Sequence, residues 1–353
     1  MKFYEFVEQA LARQAAGENI AKLYIGEPDM NTPQTIVDAG LDSMGKTNAT
    51  YVSAQGLPAL RKMIAQKHRT TAEQIVLTPG SKFAIFGAVR LLAQGKKVCI
   101  LSPHWPGFDS ICAANNAKPV HVKSALESNW AWDAADLDAA IDSDTKLVVI
   151  CNPNNPTSTV LSSKKVNELA GVASAHGVPV LVDTAYQGLS FSKMDDQTRP
   201  SENVIVAGSF SKGFAMTGWR AGYLASGPEF AQRMVSLAQS TFSCVPQFVQ
   251  DAAICAMHNP QIETQMARAY EERAKIASDI LSKKFEFARP QAGIYIFVTK
   301  KGLDGDKTCM ELLDKGIGVA PGSAFGFPEF LRISLTLPQD ELACALEKIN
   351  KLV

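Results

Sequence analysis

Short apolar runs separated by helical patterns constrain this chain more than any other feature. The runs fall at 75–78 (IVLT), 98–101 (VCIL), 147–151 (LVVIC), 178–182 (VPVLV), 204–207 (VIVA) and 221–225 (AGYLA). Helical periodicity lies between most of them, at 81–94, 106–115, 133–142 and 162–176. Runs without polar alternation are buried on both faces, and alternation with helices implies a mostly parallel sheet covered on both sides. The expected class is therefore α/β. The flanks read differently. Residues 1–16 form an amphipathic helix with Phe3, Phe6, Val7 and Ala10 on one face, and a short strand ends at Gly26-Glu27-Pro28-Asp29. Helices are expected at 33–44 and 57–69, and 228–284 reads as mainly helical. Beyond 285 the pattern becomes α+β, with hairpin-like strands at 287–299 and 331–335 and helices at 306–315 and 338–351. This suggests an N-terminal arm (1–30), a large domain (31–270) and a smaller C-terminal domain (271–353).

Composition removes several function classes. The 353 residues carry 35 Lys+Arg and 35 Asp+Glu, so no basic excess favours nucleic acid. The seven cysteines are odd in number and irregularly spaced, which fits reduced thiols in a cytoplasmic protein. The five histidines are scattered without metal-ligand spacing, so no metal is expected. No apolar run approaches the roughly 20 residues needed to cross a bilayer, and the N-terminus, with Glu5 and Glu8, does not resemble a signal peptide. Asn48-Ala49-Thr50 fits a glycosylation sequon that a cytosolic protein would not use.

In an open parallel sheet, ligands bind beyond the carboxyl ends of the strands. The residues just after each run are Gly80-Ser81-Lys82, His104-Trp105, Asn154-Asn155, Asp183 to Tyr186, and Ser209 to Lys212 followed by Arg220. Together they suit pyridoxal 5'-phosphate. A helix start at 80–82 offers backbone N–H groups to a phosphate; Ser209 and Arg220 could add a hydroxyl and a guanidinium fork. Trp105 offers a flat face to a pyridine ring. Asp183 could keep the ring nitrogen protonated, so that the ring stays an electron sink. Asn155 and Tyr186 could bond the phenolic oxygen. Lys212 would form the Schiff base and later move a proton, which requires a depressed pKa.

Ser209-Phe-Ser-Lys212-Gly-Phe-Ala-Met-Thr-Gly-Trp-Arg220-Ala-Gly222 closely resembles the lysine signature of the class I/II aminotransferases, pyridoxal-phosphate enzymes of fold type I. The resemblance runs through nearly the whole chain. Gly26-Glu27-Pro28-Asp29 resembles the family's substrate-side loop, Asn154-Asn155-Pro156-Thr157 its NNPTG segment and Asp183-Thr-Ala-Tyr186 its D-x-A-Y segment. Leu331-Arg332-Ile333-Ser334 resembles the segment whose arginine binds the substrate α-carboxylate. Tyr51, in Tyr51-x4-Gly56-x3-Leu60-Arg61, resembles the tyrosine that reaches the phosphate in the neighbouring subunit. The resemblance implies a fold-type I transferase: a mostly parallel sheet flanked by helices, with a smaller α+β C-terminal domain. It further implies a homodimer with shared active sites, amino acid and 2-oxo acid substrates, and an aminotransferase working through Lys212 bonded to the cofactor. Lys212, Asp183 and Tyr186 would be catalytic. Gly80, Ser81, Lys82, Trp105, Asn155, Ser209, Arg220 and Tyr51 would complete the cofactor set, with Gly26, Asn155 and Arg332 toward substrate. Two departures stand out: Ser158 replaces the usual glycine after NNPT, and only 25 residues precede Gly26.

Other readings have less support. Each residue also has an ordinary structural use: Asp183 as a helix cap, Trp105 as packing, Tyr51 as a dimer contact, Arg332 as a surface ion pair. Gly40-x4-Gly45-Lys46-Thr47 satisfies the P-loop pattern. Yet residues 34–44 read as a helix that Gly45 would stop, where a P-loop must follow a strand. Ser209-x-x-Lys212 lacks the companion motifs of penicillin-binding enzymes, and no G-x-G-x-x-G occurs. Another reaction on the same fold, β-elimination or decarboxylation, stays open. Cys–S lyases of this fold usually carry D-E-x-H in place of Asp183-Thr-Ala-Tyr186. A cofactor-sensing regulator is not expected, since no DNA-binding segment flanks this sequence. Lys82 slightly favours an acidic donor, aspartate or glutamate; its side chain could equally be solvated. Phe3, Tyr4, Tyr24 and Tyr295 could line a pocket or belong to the core.

Overall fold

The computed structural model describes residues 3–46, 50–194 and 198–353. In chain order the elements are α1 (Phe3–Ala15), β1 (Ala21–Leu23), α2 (Gln34–Lys46), α3 (Pro58–His68), β2 (Ile75–Pro79), α4 (Ser81–Leu92), β3 (Lys97–Ser102), α5 (Gly107–Ala114), β4 (Lys118–Lys123), α6 (Ala134–Ala140), β5 (Thr145–Cys151), α7 (Ser163–Ala175), β6 (Val180–Asp183), β7 (Val204–Ser209), β8 (Ala221–Ala225), α8 (Pro228–Ser240), α9 (Gln247–His258), α10 (Gln261–Leu281), β9 (Tyr295–Thr299), α11 (Gly305–Leu313), β10 (Ile317–Pro321), β11 (Phe330–Ser334) and α12 (Gln339–Leu352).

The runs expected to be strands all lie in one seven-stranded sheet, ordered β2-β8-β7-β6-β5-β3-β4. Only β8 runs against its neighbours. Side-chain alternation explains why the runs are apolar throughout. Val149 and Leu181 face a core shared with α4, α5 and α8. Val148, Ile150, Val180 and Val182 face the opposite core, shared with α6 and α7. Each central strand therefore buries both sets of side chains under a helical layer. Strand β4 was not apparent in the sequence. Lys-Pro-Val-His-Val-Lys is polar and carries a proline, both suited to the edge position it takes beside β3 alone.

A second sheet has four strands, ordered β1-β10-β11-β9. It joins both ends of the chain, with β1 parallel to β10 through Ala21↔Ile317 and Leu23↔Val319. β9 and β11 are antiparallel neighbours, as a hairpin would be, but α11 and β10 intervene between them in the chain. The expected 287–299 strand is shorter, since only Tyr295–Thr299 is continuous strand. β10, which contains Gly318 and Pro321, was not among the strands expected from the sequence. The glycine is needed for packing: a Cβ there would lie 2.5 Å from Tyr24 Cδ1.

Among the described residues no helix is long and apolar enough to cross a membrane. The P-loop-like segment does not have the geometry its pattern requires. Gly40 and Gly45 both lie within α2, so Gly45 does not stop that helix, and Lys46 is exposed and paired with Asp42 at 3.1 Å. Thr47, Asn48 and Ala49 lie outside the described residues.

Candidate active site

The carboxyl ends of β3, β5, β6 and β7 and the turn after β2 open on one cavity of about 260 Å³. Strand register sets its depth. Cys151 is level with Asp183, Asp183 with Ala207, and Ser209 with Gly222. Gly26, Gly80, Ser81, Lys82, Trp105, Asn155, Asp183, Tyr186, Ser209, Lys212, Arg220 and Arg332 all line this cavity. Of the residues assigned to cofactor or substrate in the sequence, Tyr51 lies elsewhere, 86% exposed.

At one end lies an anion cradle. Gly80 precedes α4 with φ 74°, a left-handed conformation that glycine adopts freely. A Cβ at Gly80 would lie 2.6 Å from Arg220 Nη2, and one at Gly222 2.4 Å from the Gly80 carbonyl carbon. Both glycines therefore let β8 and Arg220 close on the helix start. Arg220 is aimed by hydrogen bonds from Nη1 to Thr217 O (2.9 Å) and from Nη2 to Pro79 O (3.1 Å). Amides at a helix N-terminus, a hydroxyl and a guanidinium form a phosphate site.

Deeper in, Asp183 is 5% exposed and accepts the Ala185 amide at 3.0 Å. Burial pushes its carboxyl up to about 7, against the pull of that amide and of Lys212. A carboxylate so poorly compensated fits a cationic ring nitrogen, whose charge would hold it ionised. Lys212 donates to Gly26 O at 2.6 Å. Burial first, with Arg220 and Arg332 adding to it, lowers the amine to about 8, while Glu27 and Asp183 oppose. The neutral amine is thus accessible near neutral pH. The cradle, the buried acid and the softened lysine fit pyridoxal phosphate.

The other end is cationic. Arg332, on β11, is 2% exposed. It donates from Nη1 to Asn155 Oδ1 at 3.2 Å and from Nη2 to Tyr24 O. Its guanidinium carbon lies 4.3 Å from the Tyr295 ring centroid, 4.8 Å from Phe325 and 5.2 Å from Phe3. Its Nε has no partner. A guanidinium surrounded by π faces and carbonyl oxygens suits an incoming carboxylate. Of the four aromatic residues left open, Phe3 and Tyr295 reach the cavity. Tyr24 is fully buried behind it, and Tyr4 is 48% exposed. Lys82 holds its ammonium 5.4 Å over the Trp105 ring.

Several contributors escaped the sequence reading. Gly26 is required less by substrate than by Tyr295, whose hydroxyl would lie 1.7 Å from a Cβ there. Asp29 anchors the same loop, accepting from Arg273 at 2.6 and 2.9 Å and from Tyr270 at 3.1 Å. The turn at Ser158 survives its missing glycine. Ser158 takes φ 58° and holds the turn by accepting from Gln291 N (2.8 Å) and Ala292 N (3.2 Å). The histidines are not all scattered in space. His104 and His121 converge on Asp109 at 3.0 and 2.8 Å and stack 4.6 Å apart at 25°. A ring nitrogen of each and an Asp109 carboxylate oxygen lie within 4.8 Å of one another. In this structure the trio is a hydrogen-bonded cluster beside Trp105, grouped more closely than the scattered sequence positions suggest. Only a signal linking residues 104, 109 and 121 across α5 and β4 could have found it.

Comparison with known proteins agrees with this geometry. The family model described as Aminotransferase class I and II matches residues 18–349. An aspartate aminotransferase of Thermococcus kodakarensis is 33% identical over 338 residues, 93% of this chain and 90% of that protein. An arginine–pyruvate transaminase of Pseudomonas aeruginosa is 31% identical over 97% of this chain and 92% of its own length. The crystal structure of aspartate aminotransferase from Thermotoga maritima superposes with a TM-score of 0.93 at 27% identity, covering 99% of this chain and 96% of that one.

Proposed function

Since the chain belongs to the class I and II aminotransferase family, we propose that it transfers the amino group of a dicarboxylic L-amino acid, aspartate or glutamate, to a 2-oxo acid. The enzyme is a pyridoxal-phosphate-dependent aminotransferase acting on amino and oxo acids. The observation that carries the dicarboxylate reading is the presence of two cations unused by the phosphate cradle: Arg332 for the α-carboxylate, and Lys82 over Trp105 for the distal one. The names of the aspartate aminotransferases above support it. The arginine–pyruvate transaminase shows that the same family also takes a basic donor.

When bound, pyridoxal phosphate supplies the aldehyde carbon that carries the amino group and a ring that accepts the electron pair left at Cα. The chain's residues do the rest. Arg332 grips the α-carboxylate and so turns the Cα–H bond toward Lys212. Lys212 Nζ, whose amine burial softens, would take the Cα proton of the bound substrate and hold it for return. Asp183 would keep the ring nitrogen protonated, and Tyr186 and Asn155 would bond the phenolic oxygen. Gly80, Ser81, Lys82 through its amide, Ser209 and Arg220 would hold the phosphate, with Trp105 against the ring.

The reading extends to assembly. Tyr51, Leu41 and Met44 are 86%, 59% and 51% exposed. A cleft lined by Met30, Trp219 and Phe248 continues from Arg220. These apolar surfaces support a homodimer in which Tyr51 of a second copy reaches the phosphate. The seven unpaired thiols support a cytoplasmic setting. The three-part division given above rests on the sheets. The seven-stranded sheet lies within 31–270 and β9 to β11 within 271–353, while β1 of the arm adds an edge strand and α10 crosses the last boundary.

The test is spectroscopic. The visible cofactor band of the purified enzyme should shift to that of the aminated cofactor on adding L-aspartate, and Lys212→Ala should abolish turnover. A shift with L-alanine or L-arginine but not with L-aspartate would overturn the dicarboxylate reading. A band that no amino acid moves would favour a lyase.

A further inference from the structure

We infer that Tyr295 is a positioning residue that couples the two ends of the pocket, its hydroxyl donating to Tyr186 while its ring lies on the Arg332 guanidinium. The inference rests on the reading above, in which Tyr186 faces the cofactor and Arg332 the substrate carboxylate.

Tyr295 opens β9 and is 2% exposed. Its hydroxyl is 2.9 Å from that of Tyr186, with the rings edge to face at 69°. Its ring centroid is 4.3 Å from Arg332 Cζ. Its backbone has little freedom. Tyr295 N donates to Ser158 Oγ at 3.3 Å, Gly293 N donates to Leu189 O at 3.0 Å, and Ile294 O accepts from Leu335 N at 2.8 Å. Gly26, lacking a side chain, lets the hydroxyl sit against the substrate-side loop.

Two phenols share one hydrogen bond, and its direction decides what Tyr186 can do. If Tyr186 donates to Tyr295, it has no O–H left for the cofactor. If Tyr295 donates, Tyr186 keeps its hydrogen and becomes a stronger donor, because hydrogen bonds in a chain polarise one another. Of two phenols the more acidic one donates. The cation on the face of Tyr295 draws electron density from that ring and makes it the more acidic partner. The other ionisable groups acting on the pair are Cys151 at the end of β5 and Glu27 after β1. Neither of them stacks on either ring. Arg332 thus sets the direction of the bond, and the substrate end of the pocket biases the cofactor end through one side chain.

The test compares the loaded enzyme with Tyr186→Phe and Tyr295→Phe. A donor to the phenolic oxygen stabilises its more anionic form and so lowers the pH at which the cofactor band titrates. Tyr186→Phe should raise that pH by more than about one unit. Tyr295→Phe should raise it by roughly 0.3–0.5 unit through the weakened chain. Tyr295→Phe keeps the ring on Arg332, so the dissociation constant for maleate, measured at the acid limit of the titration, should stay within about twofold. A shift in Tyr186→Phe with none in Tyr295→Phe, or a downward shift there, overturns the inference but leaves the site reading intact. Maleate affinity falling in parallel with the spectral change would mark general loosening and also overturns it. An unmoved band in Tyr186→Phe overturns the site reading itself, and the inference with it.

Discussion

At the end of the pocket built on the seven-stranded sheet, Asp183 carries a buried carboxyl pushed up to about 7. At the end built on the four-stranded sheet, Arg332 carries a buried guanidinium met by two oxygens and three aromatic rings. Among the described residues no carboxylate pairs with it. The two ends thus leave buried charges of opposite sign only partly compensated. A buried charge left so costs stability unless a ligand supplies the partner. One end is complementary to a cationic ring nitrogen, the other to an anionic substrate group. The protein holds two unpaid electrostatic debts, and cofactor and substrate settle them separately.

The largest effect expected from this comparison is at Asp183. Its folded pKa lies above the ordinary 3.8, so its contribution to stability is full below about 4 and lost as pH rises through about 7. In cofactor-stripped protein, Asp183→Asn should therefore be more stable than the parent at pH 8, by at most roughly 4 kcal/mol. The advantage should shrink toward zero as pH falls to 4, and should vanish at pH 8 once cofactor is bound. Urea unfolding at pH 5 and pH 8 reads this; a gain independent of pH would break the comparison at its cofactor end.

A smaller effect is expected on the loop that carries Gly26. Asp29→Asn leaves Arg273 largely buried, with its carboxylate partner removed and its Nε already unpartnered. The loss should be about 2–3 kcal/mol, trimmed by the partial exposure of Asp29. Because the loop belongs to the substrate end, KM for the amino donor should rise while cofactor affinity changes little. Loss of cofactor at unchanged KM would show that the ends are not separable in this way.

The smallest effect is expected where the ends meet. Ser158→Gly relieves a left-handed backbone at the cost of a more flexible unfolded chain and the weak Oγ contact to Tyr295 N. These nearly cancel, leaving a change of about 0.5 kcal/mol in favour of glycine. A loss above about 1 kcal/mol in thermal unfolding would mean that the Ser158–Tyr295 contact does more than its length suggests.

The same contrast separates what could be read in the sequence from what could not. Asp183, Lys212 and Asn155 were legible because each follows an apolar run, and a parallel sheet brings such positions to one edge. Arg332 was legible only through its resemblance to a family segment. Nothing local marks an arginine within Phe330–Ser334 as buried, and its surroundings come from residues 3, 24, 155, 295 and 325. β10 and β4 were missed for related reasons: each is a short strand that carries a glycine or proline, and only the fold supplies its neighbour.

The sequence by itself determined the sheet-and-helix order of residues 75–225, the chemistry placed at the strand ends, and the family. Those properties follow from side-chain period and from groups set at fixed offsets along the chain. Tertiary structure alone decided that β1 completes a sheet with β10, that Tyr295 presses on Gly26, and that Arg332 is surrounded by aromatic rings. Several of these contacts, such as Ala21 with Ile317 and Gly26 with Tyr295, join segments more than 250 residues apart. Their energies depend on how surfaces fit once the chain has closed, and no local pattern encodes that fit.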